Sequence, residues 1–144
     1  MSAAKKDTKT DRYVLDTTAI LAYSGNEPGA DLIEELLFKA HRKQLKLYIS
    51  FMTVMEAGYK AFRARGKDGL VKMMAYLQEL PLHRIDVNEE LLSLAAQIKG
   101  GGSLSAADAW ILATAKYLDA TLVHRDPEFE QARTDVHLQE LPRR

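Results

Sequence analysis

The segment from Tyr13 to Tyr23, with the sequence YVLDTTAILAY, constrains the fold more than any other part of the chain. Three β-favouring residues lead directly to Asp16, two threonines follow it, and an apolar, helix-forming run comes next. This pattern predicts a strand, an acid at its carboxyl end, and a helix that Thr17 or Thr18 could cap. Because the carboxyl ends of strands form the ligand crevice of open α/β sheets, Asp16 is the first candidate site residue.

Composition limits the class of protein. The chain has 144 residues, 47% of them hydrophobic, and 20 acidic and 20 basic side chains, which predicts one globular domain over residues 12–144 after a mobile polar tail at 1–11. The absence of cysteine excludes disulfides and thiolate chemistry, so a hard cation held by oxygens is favoured over zinc. No apolar run approaches the roughly 20 residues of a membrane span, and no signal peptide is recognisable. We expect a cytoplasmic protein with no membrane partner.

Hydrophobic periodicity predicts alternating strands and helices. Beyond the first strand, further strands are expected at 45–50, 82–86, 120–124 and 136–141. Helices are expected near 32–40, 51–66, 68–80, 89–99 and 104–119, with a short turn or helix at 126–132. Their apolar stripes should bury, among others, Met55, Gly58, Tyr59, Phe62, Met74 and Leu92. Strands separated by helices predict an α/β fold with a mostly parallel sheet covered on both faces.

Three further acids stand out, and each has a structural alternative. Asp108 lies within the apolar face of its helix, but Ser105 precedes it with the spacing of a capping box. Glu56 is preceded by Thr53 at the same spacing, and Lys60 lies one turn later as a potential ion-pair partner. Asp126 follows a strand and precedes Pro127, a setting in which aspartate commonly opens a turn.

The four acids share one predicted location. Asp16 and Asp126 follow strands, and Asp108 and Glu56 are expected in the first turns of helices that start on the same side of the sheet. Carboxylates that converge repel one another, by roughly 1 kcal/mol per pair in water and more in a shielded site. Protonation of one or two acids could offset the repulsion, but Mg²⁺ or Mn²⁺ is the usual partner of an all-oxygen cluster.

The chain resembles PIN-domain ribonucleases of the VapC toxin type. The resemblance is carried by YVLDTTAILAY, TVMEAGYK, LSAADAWILATA and ATLVHRDPEFE, in that order. It implies a three-layer fold with a mostly parallel sheet of four or five strands, a homodimer, an RNA substrate and a cognate antitoxin protein. It also implies that one or two Mg²⁺ or Mn²⁺ ions bind a catalytic quartet, with Thr17 beside the first acid; the quartet is Asp16, Glu56, Asp108 and Asp126. Ser105, which precedes Asp108 with cap spacing, is a further supporting residue.

Two positions depart from the pattern of that family. Thr18 stands where asparagine or serine is frequent, and His124 stands where a small hydroxyl is frequent, two residues before Asp126. Lys60 and Arg63 share a helical face with Glu56 and are candidate RNA-binding residues, although a solvated helix end would have the same composition.

Two alternative functions fit parts of the sequence. One is a PIN module that binds RNA or protein without cleaving. The other is a haloacid dehalogenase-type phosphatase, which is disfavoured because Thr18 occupies the place of its second aspartate.

Overall fold

The computed structural model describes residues 11–132 and 134–143, and these form five strands and six helices. The strands are β1 Arg12–Leu15, β2 Lys46–Ser50, β3 His83–Ile85, β4 Thr121–His124 and β5 Leu138–Glu140. The helices are α1 Thr17–Ser24, α2 Ala30–His41, α3 Phe51–Glu79, α4 Glu89–Gly100, α5 Ala106–Leu118 and α6 Pro127–Gln131. The tail predicted for residues 1–11 lies, apart from Asp11, outside the described residues.

The strands form one sheet in the order β3-β2-β1-β4-β5, and every pairing among them is parallel. The chain moves outward from β1 through β2 to β3 and then returns to place β4 on the other side of β1. The winding direction therefore reverses between β1 and β4, which opens a crevice at the carboxyl ends of these two strands. The predicted α/β fold with a parallel sheet is confirmed.

Helices cover both faces because successive strand residues point to opposite sides. Leu15, Leu47 and Val123 pack in one core with residues of α1, α2 and α3. Val14 and Leu122 face the other side and pack in a core with residues of α5 and α6. Helix α4 packs on α5 in a smaller third cluster. None of the helices in the described ranges is long and apolar enough to cross a membrane.

Helix α3 is bent in the middle at Gly66, which has φ 68° and ψ −157°. A residue with a Cβ is strained at this positive φ, so glycine permits the break. The sequence analysis placed a helix end at Gly66, and the bend confirms it. The two halves come close just after the bend, since a Cβ added at Gly69 would lie 2.5 Å from the backbone oxygen of Ala61.

Several apolar side chains that were predicted to be buried are exposed instead. Met55 and Phe62 are 50% and 51% exposed, and Met74 and Leu92 are 39% and 45% exposed. Helical periodicity identifies an apolar face but does not show whether the chain itself covers it. Met55, Phe62 and Met74 line what we term the apolar groove, formed by Phe51, Val54, Met55, Gly58, Tyr59, Phe62, Leu70 and Met74 and flanked by Arg84 and Asp86.

Candidate active site

Asp16 lies at the crevice, directly after β1 and beside β4. Its backbone N–H donates to the carbonyl oxygen of Val123 at 3.1 Å, and its carboxylate accepts from the backbone N–H of Ala19 at 2.8 Å. Asp16 is thus the N-cap of α1, and the prediction that Thr17 or Thr18 caps this helix is wrong. The acid itself ends the strand, so its short side chain reaches the third N–H of the helix. Its side chain is buried.

Thr18 connects Asp16 to the loop that follows β4. Its hydroxyl donates to the carboxylate of Asp16, with distances of 2.7 Å and 2.8 Å to the two oxygens. The same hydroxyl accepts from the backbone N–H of Arg125 at 2.9 Å. One side chain therefore fixes the position of the first acid relative to the loop that carries Asp126.

Glu56 is held by the other threonine of the segment. The hydroxyl of Thr17 donates to Oε1 of Glu56 at 2.6 Å. Glu56 lies in the second turn of α3, because the helix begins earlier than its apolar pattern suggests and is capped by Ser50. The predicted capping box between Thr53 and Glu56 is therefore wrong, and the Glu56 carboxylate is turned to the candidate site instead.

Asp108 enters from α5 on the opposite face of the sheet. Ser105 caps this helix by accepting the backbone N–H of Asp108 at 3.1 Å. This is the forward half of the capping box that the sequence predicted. The bond anchors the main chain of Asp108 and leaves its half-buried carboxyl group beside the other acids.

Asp126 follows β4 and is the N-cap of α6. Its carboxylate accepts from the backbone N–H of Glu128 at 2.9 Å, and Pro127 occupies the first turn of the helix. Asp126 therefore opens the turn, as predicted, and also lies next to Asp16 and Asp108 at the crevice.

The acids interact electrostatically. Burial raises the pKa of Asp16 to about 7; bonds from Thr18 and the Ala19 N–H oppose the rise, and the charges of Asp108 and Asp126 add to it. Burial also raises the pKa of Asp108 to about 6, assisted by the carboxylates of Asp126, Glu56 and Glu128 and opposed by Ser105. These charge effects on Asp16 and Asp108 require that the carboxyl groups involved lie near one another.

Glu128 is a fifth acid that the sequence analysis missed. It contributes to the raised pKa of Asp108 and lies in the first turn of α6, two residues after Asp126. The signal was present in the segment DPE, where two acids flank a proline that fits the start of a helix.

The donor set fits a hard divalent cation. Carboxylates whose charged forms are disfavoured by burial and mutual repulsion are stabilised by a bound positive ion. Among the described residues, no three acid or histidine side chains lie close enough together to enclose an ion as they stand. Mg²⁺ does not need such an enclosure, because it keeps several waters and is usually bound through one or two carboxylates.

The candidate RNA-binding side chains lie on the exposed part of α3. Lys60 is one turn after Glu56. It forms no ion pair with any acid among the described residues, so the predicted pair with Glu56 is not formed. The guanidinium of Arg63 lies 4.7 Å from the ring centroid of Tyr59. Both residues are exposed.

A family model described as PIN domain matches residues 13–134 of the chain. The chain belongs to the PIN domain family. Three VapBC structures are among those with a similar fold. One is VapBC2 from Rickettsia felis bound to a promoter DNA fragment, at 18% identity and TM-score 0.72, covering 91% of this chain and 99% of that one.

The other two VapBC structures share the fold as well. VapBC-1 from nontypeable Haemophilus influenzae has 25% identity and TM-score 0.69, with 90% and 97% of the two chains covered. DNA-bound VapBC from Salmonella typhimurium has 16% identity and TM-score 0.71, with the same coverage. No curated protein matches the sequence. The expected PIN domain is confirmed as a family assignment, and its fold is shared with the VapBC structures.

Proposed function

We propose that this PIN domain is a metal-dependent ribonuclease and acts as a VapC-type toxin. The observation that carries the proposal is that Asp16, after β1, meets Asp108, from α5. The charge of Asp108 adds to the raised pKa of buried Asp16, and the charge of Asp126 adds to the raised pKa of both. Acids with strongly perturbed pKa values in a crevice are typical of catalytic sites. The location at the reversal point between β1 and β4 supports the same interpretation.

The acids have distinct proposed roles. Asp16 and Asp108 would be the principal ligands of one or two Mg²⁺ or Mn²⁺ ions, and Asp126 a further ligand. When bound, such an ion supplies Lewis-acid polarisation of a phosphate oxygen and a water acidic enough to deprotonate near neutral pH. Glu56 would bind directly or through a water.

The remaining residues position these groups and the substrate. Thr18 engages both carboxylate oxygens of Asp16 and so fixes the plane of that group. Thr17 occupies Oε1 of Glu56, which leaves Oε2 to orient a water for in-line attack on the phosphodiester. Lys60 and Arg63 offset the negative charge of the centre as the RNA backbone approaches.

We also propose that the protein forms a homodimer and is neutralised by a cognate antitoxin. Both partners follow from the resemblance to VapC toxins, and the fold shared with three VapBC structures supports them. The exposed apolar groove offers a surface that a second protein chain would cover.

The decisive experiment is cleavage of a labelled pool of random-sequence single-stranded RNA. The wild type should cut with Mg²⁺ or Mn²⁺ and leave 5′-phosphate ends, and EDTA or Asp16→Asn should abolish cleavage. Asp31→Asn, an exposed acid in the first turn of α2, is the matched control and should remain active. Cleavage that persists with EDTA and with Asp16→Asn would refute the mechanism. Binding of the RNA without any cleavage by the wild type would instead identify a non-cleaving PIN module.

A further inference from the structure

His124 is the last residue of β4 and is completely buried, two residues before Asp126. A buried imidazole is unfavourable unless both ring nitrogens have hydrogen-bond partners. Both do. Nδ1 accepts from the backbone N–H of Asp126 at 3.1 Å, and Nε2 lies 2.8 Å from Oε2 of Glu130.

These contacts define the state of the ring. Because Nδ1 accepts a hydrogen bond, the ring proton is on Nε2 and is donated to Glu130. Phe129 packs against the ring edge-on, with 5.2 Å between the ring centroids. The ring is thus fully enclosed, so His124 is not placed to contact RNA or an ion directly.

The loop carrying Asp126 is fixed at two successive backbone N–H groups. The N–H of Arg125 donates to Thr18, which also binds Asp16, and the next N–H donates to His124. The guanidinium of Arg125 is paired with Glu27 at 2.6 Å. Of these contacts, the hydrogen bond to His124 is the one that Asp126 itself makes. It holds the backbone of the residue whose carboxylate belongs to the site.

We propose that His124, oriented by Glu130, is a positioning residue that fixes the Asp126 carboxylate toward the acidic centre. The relay runs from the carboxylate of Glu130 through the imidazole to the backbone of Asp126, and it joins the end of β4 to helix α6. This inference rests on the proposed function, because it assigns His124 a role in presenting an ion ligand. Loss of such outer contacts commonly weakens metal binding by about 10- to 100-fold.

Amide-like side chains separate the two halves of the relay. In His124→Asn, Oδ1 can replace Nδ1 as the acceptor for the Asp126 N–H, but the contact to Glu130 is lost. In His124→Gln, the amide nitrogen can replace Nε2 toward Glu130, but the acceptor at Nδ1 is lost. His124→Leu removes both functions at similar volume, and Glu130→Gln keeps an acceptor for the ring. His83→Asn, on an exposed histidine of β3, is the matched control.

Two measurements on the chain of residues 1–144 test the proposal. The first is amide hydrogen exchange at Asp126 in metal-free protein, and the second is the Mn²⁺ dissociation constant measured by electron paramagnetic resonance. His124→Leu and His124→Gln should lose protection at Asp126 and bind Mn²⁺ about tenfold more weakly. His124→Asn, Glu130→Gln and His83→Asn should stay close to the wild type. A residue that only filled the core would be replaced by leucine with little loss of stability, and the Asn and Gln variants would not differ in Mn²⁺ affinity.

Equal Mn²⁺ affinity in folded His124→Asn and His124→Gln would overturn the proposal. If His124→Leu does not fold, the comparison of His124→Asn with His124→Gln still tests the proposal. If the wild type binds no Mn²⁺, the metal-dependent function fails, and exchange at Asp126 alone tests the relay. Exchange at Asp126 that is as fast in the wild type as in His124→Gln would then reject it.

Discussion

The carboxyl group of Asp16 is buried where its charged form is poorly solvated, and this makes folding sensitive to pH. Its pKa is about 7 in the folded chain, against an ordinary value of 3.8. Between these values the folded state holds a proton that the unfolded state has released. In metal-free protein, stability should therefore fall as the pH rises from about 4 to about 7.

Asp16→Asn should remove this contribution. Asparagine retains the N-cap of α1 and cannot ionise, so the variant should gain stability relative to the wild type as the pH rises through that window. The measurement is the free energy of unfolding in urea, with EDTA present, at about pH 5 and about pH 8. Asp31→Asn should follow the wild type. Wild-type and Asp16→Asn curves that stay parallel would show that Asp16 does not carry the pH dependence.

A divalent ion should reverse the electrostatic cost at the acids. At an ion concentration 100 times its dissociation constant, binding to the folded state alone adds about 2.7 kcal/mol. We expect Mn²⁺ to raise the melting temperature of the wild type at about pH 8 and to have little effect on Asp108→Asn. Thermal-shift titration measures both, with Mn²⁺ on Asp31→Asn as the control. An equal rise in Asp108→Asn would place the ion elsewhere.

Thr18 should be more important for stability than an ordinary partly buried threonine. Thr18→Val would leave the Arg125 N–H without its acceptor, and an unsatisfied buried donor costs about 1–3 kcal/mol. It would also remove the hydroxyl that lowers the pKa of Asp16. Thr18→Ser keeps both bonds and should lie near the wild type in urea unfolding. Similar losses in the two variants would indicate that the methyl group, rather than the hydroxyl, is what matters.

At the level of elements, the bend in α3 depends on close approach of backbone at Gly69. An added Cβ there would lie 2.5 Å from the oxygen of Ala61, so the two halves of the helix must separate. Gly69→Ala should therefore destabilise the protein by about 1–3 kcal/mol, as overpacking does. Gly100→Ala, near the end of α4 with open space around it, should be neutral or slightly stabilising. Urea unfolding distinguishes them, and equal stability would refute close packing at the bend.

The order of elements and the placement of most acids could be predicted from sequence because their causes are local. Alternating apolar patterns mark strands and helices, and Asp16 and Asp126 stand directly where strands end. The break at Gly66 was equally evident, since glycine tolerates the positive φ that the bend requires.

Features that depend on distant residues could not be predicted. The apolar stripe with Met55 and Phe62 has the same periodicity as a buried stripe, and only the tertiary arrangement shows that α3 leaves it uncovered. The contacts of Thr18 with Arg125 and of Thr17 with Glu56 join segments far apart in sequence. The segment DPE marks Glu128 as a second acid beside Asp126, but its effect on Asp108 arises only when α5 and α6 meet at the sheet.

At the scale of the whole molecule, the apolar groove is suited to pairing with a second copy. Side chains of α3 line it, and Arg84 and Asp86 lie at its side with opposite charges. Arg84 and Asp86 pair with each other at 2.9 Å within the chain, so the side of the groove presents both signs of charge, as a self-complementary interface with twofold symmetry requires. The proposed homodimer would thus bury apolar surface that is exposed in a single chain.

Charge introduced into the groove should therefore separate the dimer. Met55 and Phe62 are two helical turns apart on one face of α3, so Met55→Glu and Phe62→Glu would each place an uncompensated carboxylate in the interface. We expect a dimeric mass for the wild type in size-exclusion chromatography with light scattering, and a monomeric mass for both variants. Phe38→Glu, on an equally exposed side chain of α2 outside the groove, should remain dimeric. A monomeric wild type would reject the homodimer, and dissociation by Phe38→Glu alone would place the interface on α2.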